Sequence, residues 1–166
     1  MNPQFGLERR LAYRFSILAN LIIRRNAAVY SRKYGMTAVG WRILSIIGRY
    51  EPIFPGVVAQ RTSMDADKVT RVVDRLADLG YVIRNTDAAD RRRVILCLTA
   101  RGRSVYEKVE ALTQALDADL RGVLSAAEGK TLDAVLDKLE ARARELAAQT
   151  PGAGVKPSRP AAAKAK

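Results

Sequence analysis

Three consecutive arginines, Arg91, Arg92 and Arg93, follow Asp87 and Asp90 and stand directly before an apolar run. An arginine guanidinium is always charged and presents a planar fork of N–H donors, which suits phosphates, guanine edges and narrow minor grooves. Asp90 and Arg92 lie two residues apart, on one side of an extended chain, so we expect the carboxylate to hydrogen-bond the guanidinium. A solvated charge run is the commoner interpretation of such a stretch. The flanking residues favour a cationic loop tip that contacts DNA.

A second group of polar residues follows one face of a helix predicted over Asp65–Leu79. Valines and leucines at positions 69, 72, 73, 76 and 79 form its inward-facing stripe. On the opposite face Arg71 can bind guanine bidentately, and Thr70 and Lys68 suit thymine methyl groups, guanine or phosphates. An amphipathic helix with an ordinary charged surface is the alternative. The candidate DNA-binding residues of this helix are Asp67, Lys68, Thr70, Arg71 and Arg75.

The elements around these residues have the order of a winged helix-turn-helix. A short helix over Pro55–Thr62, a tight turn and the helix over Asp65–Leu79 precede two β-branched runs, which read as a hairpin with the arginines at its tip. The sequence therefore predicts a mostly α fold with a small β wing. The other predicted helices span Leu7–Tyr34, Thr37–Arg49, Thr99–Leu120 and the segment from the capping box Ser125–Glu128 to Ala148. Gly35 suits the C-terminal cap of the first helix, and Thr37 and Asp65 suit N-caps. The stretch "EPIFPG", residues 51–56, reads as a break in the chain.

Composition limits the class of protein. The chain has 166 residues, no histidine and one cysteine, so the usual ligands of zinc and the usual base of nucleophilic catalysis are missing. We therefore expect no enzyme and no cofactor. No apolar run approaches the ~20 residues that span a bilayer, and the N-terminus lacks the apolar segment of a signal peptide, which predicts a cytoplasmic protein without a membrane partner.

The net charge of +12 indicates a polyanionic partner. Residues 1–35 carry seven lysines or arginines and one acid, and the tail 150–166 carries four bases and no acid. The length favours one domain, with the basic tail disordered. Charge alone does not distinguish nucleic acid from an acidic ligand.

Residues 35–102 resemble the MarR family of bacterial transcription regulators. The resemblance implies an obligate homodimer on a pseudo-palindromic site of double-stranded DNA, with dimerisation helices in 1–35 and 100–149 and the winged helix-turn-helix in 36–99. The family's wing pair falls on Asp90 and Arg92. Its recognition helix usually starts with Ser or Thr, whereas this one starts with "DAD", and acids near phosphates are unfavourable unless they are paired or aimed at cytosine amino groups. The matching motifs are "GMT..GW.IL", "DADKVTRVVDRLADLGYV.R", "D..DRR" and "LTARG".

The resemblance also implies an effector site between the dimerisation helices and the DNA-binding lobe, for a small anionic aromatic compound. Basic residues at the end of the first helix, Arg24 and Arg25 with Arg32 and Lys33, would suit the phosphates of an acyl-CoA thioester, although a solvated face or attraction to DNA phosphates is the commoner explanation of such a cluster. For Trp41, a place in the hydrophobic core is favoured over a place in the ligand pocket. The candidate ligand residues are Tyr13, Arg14, Asn20, Arg24, Arg25, Tyr34 and Trp41.

Together these features predict a ligand-responsive transcriptional repressor. The alternative is an architectural DNA-binding protein that tolerates any sequence and uses the wing and the basic tail. A DNA affinity that does not depend on operator sequence would identify the architectural protein rather than the repressor.

Overall fold

The computed structural model describes residues 6–149, and the predicted basic tail lies outside them. Within these residues the mostly helical fold with a β wing is confirmed, and no helix is both long and apolar enough to cross a membrane. The chain divides into two compact units, the first ending at Glu110 and the second beginning at Ala111. The elements are a 3₁₀ helix Leu7–Arg9, α1 Leu11–Tyr34, α2 Ala38–Tyr50, α3 Pro55–Thr62, α4 Ala66–Asp78, β1 Val82–Thr86, β2 Val94–Leu98, α5 Ala100–Arg121 and α6 Ala126–Gln149.

Local capping residues set the boundary between α1 and α2. Gly35 adopts the left-handed conformation with φ 64°, and its N–H donates to the carbonyl of Ser31 at 3.1 Å. The hydroxyl of Thr37 accepts the N–H of Gly40 at 3.1 Å and starts α2. Both predictions are confirmed. The start of α1 differs, because Arg10 is extended and separates the 3₁₀ helix from α1 where one continuous helix was predicted.

The helix-turn-helix is held by an apolar core. Val69, Val73 and Leu76 of α4 are fully buried, as are Ile43 of α2 and Val58 of α3. Burying each such side chain stabilises the fold by roughly 1.5–3 kcal/mol relative to exposure. The valine and leucine stripe thereby fixes which face of α4 points outward.

Two residues define the ends of the recognition helix. Asp65 stands at the N-cap position of α4 as predicted, but its side chain makes no capping hydrogen bond. Gly80 follows the helix with φ 71°, which only glycine adopts without strain. The chain then enters β1 directly.

The wing is an antiparallel hairpin to which one further residue adds an isolated β-bridge. Val82 pairs with Leu98 at its base, and Thr86 pairs with Val94 near the tip. Ile53, in a segment that the sequence marked only as a chain break, bridges to Leu96 through N–H···O bonds of 3.2 and 2.8 Å. The segment before α3 therefore anchors the hairpin to the helices.

Tyr81 connects three elements of the first unit. Its hydroxyl donates to the carbonyl of Tyr34, at the end of α1, at 2.9 Å. Its carbonyl accepts the N–H of Thr99 at 3.0 Å, and a Cβ on Gly102 would lie 1.9 Å from that carbonyl oxygen. The start of α5 can approach β1 this closely only because residue 102 has no side chain.

In the second unit the predicted capping box at the start of α6 is confirmed. The N–H of Ser125 donates to the Glu128 carboxylate at 2.8 Å, and the Glu128 N–H donates to the Ser125 hydroxyl at 3.3 Å. The Ser125 N–H contributes most to holding the pKa of the Glu128 carboxyl below its ordinary value, and the Ser125 hydroxyl, which donates to the same carboxylate at 2.7 Å, adds to it. The turn before α6 is further held by Arg121, which pairs with Asp117 and Asp133.

Candidate nucleic-acid interface

The outward face of α4 carries the predicted contact residues. Asp67, Lys68, Thr70, Arg71 and Arg75 are all exposed, in contrast to the buried stripe behind them. This arrangement follows from the helical period, because residues three or four apart share one face. The five side chains are therefore available to a partner in solution.

Two of these side chains are partly ordered by the helix itself. The hydroxyl of Thr70 donates to the carbonyl of Ala66 at 3.0 Å, and Nε of Arg71 donates to the carbonyl of Asp67 at 3.4 Å. Both side chains thus lean toward the N-terminus of α4. Within the described residues the terminal amino groups of Arg71 make no hydrogen bond, so their donors can reach a partner.

Asp74 lies on the same outward face and is paired. Nη2 of Arg84, on β1, lies 2.5 Å from Oδ1 of Asp74. Arg84 was not predicted as a site residue, because in the sequence it is only an arginine within a β-branched run. The ion pair joins the wing strand to the recognition helix and neutralises one of its acids.

Two aspartates shape the wing tip. A carboxylate oxygen of Asp87 accepts the N–H of Ala89, and one of Asp90 accepts the N–H of Arg92, each at 3.0 Å. The expected contact between Asp90 and the Arg92 guanidinium is replaced by this backbone contact, because an aspartate readily accepts an N–H two residues ahead. The loop leaves Arg91 and Arg92 exposed at the tip.

Arg93 has a different environment from its two neighbours. Its guanidinium carbon lies 3.7 Å from the centroid of the Phe54 ring, which immediately precedes α3. Its carbonyl accepts the N–H of Asp87 and closes the loop at 2.9 Å. Arg93 therefore ties the Val94 end of the hairpin to the segment before α3, and the tip has two arginines rather than three.

Glu51 is a structural carboxylate that was not predicted from the sequence. It accepts the N–H of Leu98 at the end of β2 and forms an ion pair with Arg103 of α5. Its side chain is only 14% exposed, so the charge depends on these two partners. The contact holds the base of the wing against the first turns of α5.

The candidate ligand residues do not form one site within a single chain. Tyr13 and Arg14 line a shallow depression of about 300 Å³, together with Glu8, Ile17, Leu18 and Leu21. Tyr34 lies buried at the other end of α1, roughly 30 Å from Tyr13 along the helix axis. Asn20, Arg24 and Arg25 are exposed between them.

Trp41 is buried at the centre of an aromatic stack, which agrees with its interpretation as a core residue. Its ring centroid lies 6.2 Å from that of Tyr30 and 6.0 Å from that of Tyr106. Burial raises the pKa of both tyrosines above the ordinary value; a hydrogen bond with Asn26 opposes this for Tyr30. The stack joins α1, α2 and α5 inside the first unit.

Comparison with known proteins identifies the relatives of the chain. A model described as MarR family matches residues 34–93. The crystal structure of the reduced form of MarR from E. coli is 30% identical, covers 78% of this chain and 96% of its own, and has a TM-score of 0.61. An HTH-type transcriptional repressor of Mycobacterium tuberculosis is 25% identical over 118 residues, which is 71% of this chain and 85% of the relative. The Staphylococcus aureus MepR–DNA complex shares the fold, with 18% identity, 80% and 98% coverage and a TM-score of 0.72.

Proposed function

The chain belongs to the MarR family of DNA-binding transcriptional regulators, and on this premise we propose that it is a ligand-responsive repressor that binds a pseudo-palindromic operator as a homodimer. The observation that carries the proposal is the exposed face of α4 beside the wing tip. Lys68, Arg71 and Arg75 lie on that face, and Arg91 and Arg92 lie at the tip. A helix of this kind suits the major groove, and the tip suits the adjacent minor groove.

Exposed apolar side chains support the homodimer. Soluble monomers rarely expose large contiguous apolar patches, and a second copy of the chain would cover them. A two-fold dimer also presents two recognition helices, which matches the symmetry of a pseudo-palindrome. On α1 the exposed residues are Leu11, Phe15, Ile17, Leu18 and Leu21, and on α6 they are Leu132, Val135 and Leu146.

The effector that we propose is a small anionic aromatic compound or its CoA thioester. Arg14 and Tyr13 at the depression on α1 offer a cation and a ring, and Arg24 and Arg25 extend the positive charge along the same helix. An anion bound there would be stabilised by charge-assisted hydrogen bonds. Because the mycobacterial relative is named a repressor, we propose repression, in the cytoplasm, with release of DNA on effector binding.

The second candidate is the architectural DNA-binding protein. It is favoured by the many cations of the chain, four of which lie in residues 150–166. Such a protein would bind mainly phosphates, and its affinity would fall steeply with salt but not with sequence.

A binding titration separates the two functions. Fluorescence anisotropy would compare DNA from upstream of the protein's own gene with shuffled DNA of the same composition, at physiological salt. We expect tighter binding to the upstream DNA by about 10³-fold or more, and its release by an aromatic acid or its CoA thioester. Equal affinity for both DNAs would contradict the repressor and support the architectural protein.

A further inference from the structure

Asp67 is an unpaired acid at the part of α4 that we propose meets the bases. At about 100° per residue, Asp67 and Arg71 both lie within roughly 30° of the direction opposite the buried stripe. Asp67 is in the first helical turn and is exposed. Among residues 6–149, no ion pair or hydrogen bond reaches its carboxylate.

The other acids near the start of α4 are placed differently. Asp74 is neutralised by Arg84. Asp65 is the N-cap residue, with an extended backbone of φ −62° and ψ 143°, and so precedes the helical face that we propose enters the groove. Asp67 is therefore the acid whose charge would face DNA without compensation from a neighbouring ion pair.

The chemistry of the major groove limits what such a carboxylate can contact. A carboxylate only accepts hydrogen bonds and is repelled by phosphates, by guanine O6 and N7 and by thymine O4. The donors on base edges are the amino groups of cytosine and adenine. Adenine carries the acceptor N7 beside its amino group, whereas cytosine presents the amino group without an acceptor of its own.

From these constraints we infer that Asp67 determines operator specificity by accepting a hydrogen bond from a cytosine N4 amino group in each half-site. Arg71, whose Nε is held by the Asp67 carbonyl at 3.4 Å, donates through its terminal amino groups to a neighbouring guanine. The inference rests on the proposed function, because it requires α4 to lie in the major groove. Under this inference α4 selects cytosine at one position of each half-site, and Asp67 is the residue that disfavours guanine and thymine there.

Substitution of Asp67 by asparagine should change which base is preferred, rather than only weaken DNA binding. An asparagine amide donates and accepts, and it pairs bidentately with adenine N6 and N7. Asp67→Asn should therefore move the preference at one position per half-site from cytosine to adenine, by about tenfold. Asp67→Ala should remove the preference at that position and strengthen binding to arbitrary DNA, because one repulsive charge is gone.

Asp78 provides the matched control. It is exposed on the same side of α4, at the last helical residue and roughly 16 Å from Asp67 along the axis. Asp78→Asn makes the same change of charge and side chain outside the part of the helix that enters the groove. It should leave every base preference unchanged.

The experiment is selection of binding sites from randomised duplex DNA by the full-length chain, followed by sequencing, for the wild type and the three variants. A switch from cytosine to adenine with Asp67→Asn supports the inference. A wild-type motif that Asp67→Asn leaves unaltered overturns the inference and leaves the proposed function intact. Recovery of no motif by the wild type overturns sequence-specific binding and the inference together. Unfolding free energies of all variants should stay within about 1 kcal/mol of the wild type, since neither side chain is buried and each contributes only through the helix dipole.

Discussion

Arg84 of the wing strand β1 holds Asp74 of the recognition helix α4, with Nη2 2.5 Å from Oδ1. Both side chains remain in contact with solvent, 37% and 55% exposed, so the pair adds only about 0–1 kcal/mol to the free energy of unfolding. Its larger effect is on charge, because it neutralises an acid on a face that we propose approaches phosphates. The contact also links the orientation of the helix to that of the wing.

Arg84→Ala should weaken operator binding by about fivefold, or ~1 kcal/mol, because it leaves Asp74 uncompensated. The double variant Asp74→Ala, Arg84→Ala should bind more tightly than Arg84→Ala alone, since the repulsive charge is then absent. Anisotropy titrations of the wild type, Asp74→Ala, Arg84→Ala and the double variant form a double-mutant cycle that measures the coupling. Simple additivity of the two single effects would contradict an electrostatic link between wing and helix.

Arg92→Ala should weaken specific DNA binding by well over tenfold without loss of folding. The side chain is exposed at the tip, and insertion of a guanidinium into a minor groove should contribute roughly 2–3 kcal/mol, as for a good arginine–base contact. Arg92→Lys keeps the charge but loses the planar fork, so it should recover only part of the affinity. Gel-shift titration of the folded variants decides the matter, and near-wild-type affinity of Arg92→Ala would remove the wing tip from the mechanism.

Gly102→Ala should lower the free energy of unfolding by about 2–3 kcal/mol. The new Cβ would lie 1.9 Å from the carbonyl oxygen of Tyr81, a backbone atom that cannot rotate away. Gly56→Ala in α3 is the matched control, because no atom lies within 4 Å of its added Cβ, and it should leave stability unchanged or raise it by up to ~1 kcal/mol. Denaturant unfolding of both variants is the measurement, and equal stabilities would refute the steric argument.

The parts of the fold that the sequence predicted are those encoded by short-range patterns. The valine and leucine stripe of α4, the caps at Gly35 and Thr37 and the capping box at Ser125 each depend on residues within one or two helical turns. Because these signals are local, they determine where elements begin and end and which face of α4 is exposed. The predicted start of α1 was wrong because no local sequence pattern indicates that the backbone of Arg10 is extended.

The contacts that organise the site could not be predicted in the same way. Arg93 over Phe54 and Arg84 with Asp74 join residues from different elements, and their partners become clear only once the hairpin is folded against the helices. An exposed arginine at the wing tip and an arginine that packs on the ring of another element look identical in sequence. Among the ligand candidates, the separation of Tyr13 from Tyr34 follows from the length of α1. Contacts between these residues of two different chains depend on the dimer and are not encoded in a local sequence pattern.

Leu18→Asp with Leu21→Asp should convert the protein into a monomer. Both leucines are exposed on α1, 50% and 60%, so the charges should disrupt a subunit contact without entering the core of the chain. Static light scattering measures the mass, and circular dichroism confirms folding. Ile83→Asp, at an exposed apolar residue of the wing strand, is the control and should remain dimeric. A folded dimer of the double variant would contradict the assignment of α1 to the interface.

Arg24→Ala with Arg25→Ala should distinguish an effector role of the basic residues on α1 from general attraction to DNA. If these exposed arginines contact operator phosphates, their loss should reduce affinity and flatten its salt dependence by about 0.9 log units per lost contact. We expect instead that operator affinity stays within a few-fold while release by an acyl-CoA is blunted. The loss of this response is measurable as effector binding. By thermodynamic linkage, an effector that lowers DNA affinity must bind the free protein more tightly than the DNA-bound protein.

The control for this double variant is Lys130→Ala with Lys138→Ala, which removes the same charge from the exposed surface of α6 and should leave the response to the acyl-CoA intact. Calorimetry of the wild type with CoA thioesters is the direct measurement. Since the phosphates of CoA are the groups that would require paired arginines, the double variant should lose affinity for the thioester more than for the free aromatic acid. Absence of thioester binding to the wild type would exclude CoA as the effector and assign Arg24 and Arg25 to the solvated surface of α1.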